Sequence, residues 1–279
     1  MRKVKKINLI LVFFAVLSLS AFGQNDNNSK IKKTINLKDF NKIVLDGRIN
    51  LSIDQDQTNY VSFETKKENI DKIDIKVKNQ TLFISSNSNS SIDIYCSFSN
   101  IYGIIGKHHA NIKAIKNFET SKLAINLDYS SRANLYVTSN NLLLTATGEG
   151  VINFGGDIYN LILYCSNSVI LNADLYTYVI NGTIGDDADI TLTGETDEIS
   201  LNIKDDAYLK AFKLKTREAN INATDYADAC VNVNESLYFI GKKESSLYFK
   251  GNPKNINKDV SPDAMMQPYG YNKIKLAFK

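Results

Sequence analysis

The chain of 279 residues has no tryptophan, only two histidines and only three cysteines. Each shortage removes a class of function. Three cysteines, with no CxxC pair, make neither a disulfide framework nor a zinc site. Cys96, Cys165 and Cys230 are therefore expected to act as small apolar core fillers. The two histidines are neighbours, His108 and His109. Adjacent positions on a strand point to opposite faces, so the pair cannot chelate one metal, and a surface or corner role is expected. No Ser/His/Asp, Cys/His or phosphate-loop constellation is present. After residue 22 no apolar run is long enough to cross a bilayer as a helix. Proline is also scarce, three in all and each beyond residue 250. Pro253, which cannot donate to a ladder, is thus a natural stop after the last strands.

What is present begins with a basic start, Arg2, Lys3, Lys5 and Lys6, and an apolar run, Ile7–Phe22. Ala21-Phe22-Gly23 puts small residues at −3 and −1, so residues 1–23 read as a signal peptide cleaved before Gln24. Removing those four basic residues from the 33 Lys and Arg leaves 29 against 30 Asp and Glu. Such a balance, without a basic stripe, argues against a nucleic-acid partner. Residues 24–36, polar and Asn-rich, read as a flexible leader.

The strongest signal is a repeat of 19 residues over Leu123–Ala211. One column reads Leu123, Leu142, Leu161, Ile180, Ile199, and others are set by Ile125, Leu127, Ala133 and Leu135. Within each unit apolar residues alternate, as on a strand with one buried face. No unit can bury itself, so the units must stack. The expected fold is all-β: a single-stranded parallel β-helix, or β-solenoid, with like side chains about 4.8 Å apart between coils. An antiparallel sandwich also has short alternating strands, but it does not require fixed register between units. Residues 37–253 read as the solenoid. Its first part, Lys38–Ser97, alternates without keeping the period and reads as irregular first coils or a strand-rich cap. Past Ala211 the step lengthens to 20, as from Leu201 to Ile221. Residues 254–279 read as a tail, in which Ile274, Leu276 and Phe278 suggest a capping strand.

Between the two strands of each unit lies a corner. Its first column is Tyr129, Gly148, Asn167, Asp186, Asp205; its second is Ser130, Glu149, Ser168, Asp187, Asp206; its third is small, Ser131, Gly150, Val169, Ala188, Ala207. Asp186, Asp187, Asp205 and Asp206 thus fall on neighbouring coils, where unpaired like charges repel. Lys204, Lys210, water or a bound calcium ion would relieve this, so these four residues are the candidate binding or metal site, with calcium the only candidate cofactor. The reading preferred over a metal site is a solvated acidic corner with lysine neighbours, and the calcium nonapeptide is absent. A column Asn134, Asn153, Asn172, Thr191, Lys210 is expected to face solvent.

The order of these motifs resembles a bacterial family described as putative auto-transporter adhesin, head GIN domain. Its opening strand, Gly turn and Ile strand are similar to Phe40–Ile43 and Gly47–Ile53. Its Leu-x-Ile strand after an Asn turn looks like Asn79 and Leu82–Ile84, and its closing Gly-x-Pro looks like Gly251–Pro253. Gly148-Glu149-Gly150 keeps the family's usual bend, whereas Asp186–Ala188 and Asp205–Ala207 depart from it. The resemblance implies an exported β-helical domain and carries no catalytic residues with it.

These readings point to a non-catalytic, exported binding or adhesion scaffold at the cell envelope, in the periplasm, on the outer surface or secreted. It would present flat solenoid faces to a polymer or protein. The rival is a carbohydrate-active enzyme, a polysaccharide lyase or hydrolase on a β-helix. Five coils without an insertion leave little material for cleft walls.

Overall fold

A computed structural model describes residues 30–270. The signal peptide and the Ile274–Phe278 strand proposed above lie outside the described residues. In chain order the strands are β1 (Lys30–Asn36), β2 (Lys42–Asp46), β3 (Ile49–Gln55), β4 (Tyr60–Lys66), β5 (Ile73–Lys78), β6 (Thr81–Ser86), β7 (Ile92–Phe98), β8 (Gly103–Lys107), β9 (Asn111–Ala114) and β10 (Phe118–Leu127). Then come β11 (Arg132–Thr147), β12 (Val151–Ser166), β13 (Ile170–Ile184), β14 (Asp189–Ile203), β15 (Tyr208–Ala223), β16 (Asp228–Gly241), β17 (Ser246–Lys250), β18 (Asn255–Val260) and β19 (Met265–Pro268).

The fold is a β-solenoid of about 9 turns. From β10 onward all pairing is parallel and the period is the register: Leu123 pairs with Leu142, Leu142 with Leu161, Leu161 with Ile180 and Ile180 with Ile199. These columns are buried, as are Ile152, Leu171, Ile190 and Leu209 on the opposite wall. The two walls meet in one continuous core between them. Each of β11–β16 is a single long strand that crosses a bend and serves both walls. The first corner, where the strands stop, joins one coil to the next. The second corner is the bend inside each strand.

The N-terminal part combines both forms expected for it, with an unexpected order. β2 lies between β6 and β8, and β3 between β7 and β9, all parallel. The coil formed by β6 and β7 therefore stacks outside the coil that precedes it in sequence. Antiparallel pairs close this end: β5 with β6, β4 with β7, and β1 with β4.

Two expected boundaries move. Lys30–Asn36, read as part of a flexible leader, is strand β1. Its side chains are mostly exposed, so it carries no apolar alternation to find. Residues 255–268, read as tail, add a further coil: β18 pairs with β16 and β19 with β17. These are terminal strands with mainly exposed side chains, which is why the pattern fades there. Pro268 is tolerated at the end of an edge strand.

Candidate binding surfaces at the two corners

At the first corner the leading column carries positive φ: Tyr129 (53°), Asn167 (59°), Asp186 (56°), Asp205 (62°), Asp225 (65°) and Lys243 (57°), with Gly148 at 96°. Asn, Asp and Gly tolerate this region best, which explains most of the column. A Cβ added at Gly148 would lie 2.3 Å from the Tyr129 carbonyl oxygen. The third column is sealed in, with Ser131, Ala188, Ala207, Ala227 and Ser245 all at 0% exposure. The small residues there fit because the turn closes against the core.

The acidic residues do not form one cluster. The Asp186 carboxylate accepts the Asn167 backbone N–H at 2.9 Å, and the Asp205 carboxylate accepts that of Asp186 at 3.4 Å. Each carboxylate thus reaches back one coil to a backbone donor. Asp225 continues the series: a hydrogen bond from Lys243, with the Asp205 backbone N–H as a lesser contributor, holds its carboxyl below the usual range. Asp187 and Asp206 are exposed. Among the described residues no group of three or more His, Cys, Asp or Glu is placed to hold a metal ion. The structure therefore does not gather Asp186, Asp187, Asp205 and Asp206 into a shared ligand set. The repulsion inferred from their spacing is met by amide donors and by Lys243. His108 is a corner residue, as expected, with Nδ1 2.7 Å from Asp46 and its ring stacked on Tyr129 at 4.6 Å.

The second corner is built by a column of hydroxyls. Thr120, Ser139, Thr177 and Thr196 each donate to the carbonyl two residues on, those of Lys122, Asn141, Val179 and Glu198, at 3.0–3.3 Å. Ile158 takes the position between Ser139 and Thr177 and is buried, and Thr216 continues the column one coil further, donating instead to the Leu214 carbonyl at 3.4 Å. A side-chain hydroxyl here fixes the bend inside a continuous strand. The 19-residue steps Thr120–Ser139 and Thr177–Thr196 were visible in sequence, but nothing marked them as a corner while the strand ran on.

Outside this bend runs a groove of about 770 Å3, from Gln55 and Asn100 at one end to Tyr176 and Tyr178 at the other. Tyr159 and Tyr178, one coil apart, stack at 5.0 Å with rings 4° from parallel. On the preceding coils their columns hold Ser121 and Asn140, so the aromatic pair forms a step that ends the groove. Gln55 anchors the other end, donating to the Glu119 carbonyl at 2.9 Å and accepting the Glu119 N–H at 2.9 Å. The charged residues lining this groove are Glu119 and Asp157. A second groove of about 430 Å3 shares Tyr176 and Thr177 and continues along the same corner. Ion pairs line it, Lys215 to Glu195 at 2.6 Å and Arg217 to Glu235 at 3.3 Å, and Arg217 also reaches Glu218, outside the lining, at 2.5 Å. These contacts, led by the hydrogen bonds that Lys215 donates to Glu195 and Arg217 donates to Glu235, push the Lys215 and Arg217 pKa values up.

Of the cysteines, Cys96 and Cys165 are in the core and burial pushes both thiols up to about 12. Cys230 departs from expectation. It is 1% exposed but lies on the outer side of the wall, beside Tyr208.

The family described as putative auto-transporter adhesin, head GIN domain matches residues 39–176 and 159–253. The chain belongs to this family. Among solved structures, a putative adhesin from Parabacteroides merdae aligns with a TM-score of 0.66 at 18% identity, over 87% of this chain and 97% of that one. A putative lipid binding protein from Parabacteroides distasonis aligns with a TM-score of 0.59 at 17% identity, over 86% and 98%. A putative adhesin from the same species gives 0.58 at 16% identity, over 86% and 97%. At these identities the likeness shows the shared fold. No curated protein matches the chain. Among the described residues no helix is long and apolar enough to cross a membrane.

Proposed function

We propose that this protein is an exported, non-catalytic binding module of the cell envelope, and that the second corner is its recognition surface for an extended hydroxyl-rich polymer. The observation that carries this reading is the pair of grooves joined at Tyr176 and Thr177, which follow successive coils along one edge. With coils about 4.8 Å apart, four or five coils offer roughly 20 Å of contact. Exposed tyrosine rings suit the C–H faces of sugars, and Asn100, Asn140, Glu119 and Asp157 suit their hydroxyls. Carboxylates without a lysine or arginine in the first groove favour a neutral polymer over an acidic one. The adhesin label of the family and the signal-like first 23 residues support an exported site of action. Among the described residues β11–β15 run through this corner as continuous strands, which supports binding rather than enclosure of a reaction.

The test is a panel of neutral and acidic polysaccharides, read by affinity electrophoresis with residues 24–279. Retardation by a neutral glycan, lost in Tyr159→Ala/Tyr176→Ala, is expected. No retardation, or equal retardation of the variant, overturns the reading. Release of reducing ends or of unsaturated sugars in the same incubations would instead establish the rival enzyme.

A further inference from the structure

The outer side of the second wall contains a site unrelated to either corner. Strand alternation sends Thr191, Lys210, Cys230 and Tyr248 outward in one column. Outward residues are normally wet, yet Cys230 is 1% and Tyr248 9% exposed.

The cause is a bulge in β15. Between Thr191 and Thr193 on β14 there are two steps, whereas their partners Lys210 and Lys213 are three apart. Against β16 the mismatch grows: Lys210 to Lys215 is five steps, and Cys230 to Asn232 is two. The extra chain puts two consecutive residues, Phe212 and Lys213, on the outer side between buried Ala211 and Leu214. It also accounts for the 20-residue step seen past Ala211. Bulges of this kind re-aim side chains and concentrate beside functional sites.

Phe212 then packs sideways on the outer surface. Its ring centroid is 4.6 Å from that of Tyr269, and Lys250 Nζ lies 4.6 Å and 4.7 Å from the two rings. On the far side Tyr208 leans over Cys230, with its hydroxyl 3.5 Å from Sγ and Lys210 Nζ 4.9 Å from its ring. Between them is a cavity of about 240 Å3, bounded by Tyr208, Phe212, Tyr269 and Cys230, with Lys210 and Lys213 as the charged residues of its lining. Lys210 is already held by Asp189 at 2.6 Å. Lys213 is exposed.

We propose that this cavity binds a small planar aromatic anion, the ring between Tyr208 and Phe212 and the acidic group toward Lys213. Three aromatic walls select a flat apolar body. An ammonium rim without a lining carboxylate selects negative charge, which a half-enclosed, low-dielectric setting strengthens.

The experiment uses residues 24–279 and 1-naphthoate, with 1-naphthamide as the neutral counterpart, by isothermal titration calorimetry and saturation-transfer NMR. Saturable naphthoate binding is expected, weakened roughly tenfold or more by Phe212→Ala and several-fold by Lys213→Gln, with naphthamide weaker on the wild type. Phe212→Leu, which keeps the apolar volume, guards against loss of fold and should lie between Phe212→Ala and wild type. Absence of binding, an unchanged affinity in folded Phe212→Ala, or equal binding of the amide overturns the proposal. Tyr159→Ala should leave naphthoate binding intact, so this site and the polymer groove stand or fall separately.

Discussion

A residue at the first corner must accept positive φ and still leave its neighbours' amides bonded. Aspartate does both, since it tolerates the left-handed region and its carboxylate reaches the preceding coil. Asp186→Ala loses both properties and is expected to lower stability by about 1–2 kcal/mol. Asp186→Asn, which retains both, should stay close to wild type in urea unfolding. An alanine variant as stable as wild type would refute the account. Asp228 makes the opposite case. Burial raises its carboxyl pKa, with a hydrogen bond from Ser246 as the lesser, opposing influence. A folded-state pKa above the unfolded value means that the native state prefers the protonated acid. Its contribution is therefore most favourable below the unfolded value near 3.8 and is lost as pH rises through the folded value. Asp228→Asn should raise the melting temperature at pH 7 and change it little at pH 3; the reverse dependence would contradict this. The corner columns were legible in sequence as spacing. The sign of φ and the direction of each carboxylate were not, because both are set against the backbone of the neighbouring coil.

At the scale of the element, the fixed register was legible because five buried columns share one period. The second corner was not, because β11–β16 pass through it without a break and its hydroxyls sit at apolar-looking intervals. Close packing there is tested at Gly194, which has φ of 104° and would place a Cβ 2.0 Å from the Leu175 carbonyl oxygen. Gly194→Ala is expected to cost roughly 1–3 kcal/mol of strain or more, measured as a shift in urea midpoint at unchanged slope. A neutral effect would place the glycine in a roomier bend than the one described. The bulge in β15 was half visible: the step of 20 announced an extra residue. Its position, and the outward turn of Phe212 that buries Cys230, depend on partners in β17 and β19, which no local pattern records. For the same reason Cys230 read as core when it belongs to a separate cluster on the outer side.

The whole molecule is a column with two ends, and each end hides the apolar core and sheet edges that would otherwise invite pairing. At the C-terminal end the cover is β18 and β19, over the coil that contains Phe239, Leu247 and Phe249. A chain stopped after Pro253 should elute earlier than the full chain in size-exclusion chromatography, as it self-associates through the bared edge. A monodisperse truncated chain would show that the last coil is dispensable. The sequence showed the length and axis of this column but not its ends, because terminal strands keep one side wet and lose alternation. β1 and β18 were missed on that account.

The coil of β2 and β3 is sandwiched between β6–β7 and β8–β9. Once β4–β7 have folded back over it, the far side of β2 and β3 stays open, and β8, β9 and every later coil add on that side. Assembly therefore has a polarity. A chain delivered amino terminus first would meet a finished template each time another 19 residues arrived. Each addition closes a loop of only one coil, so a tall β-structure is built by short-range steps.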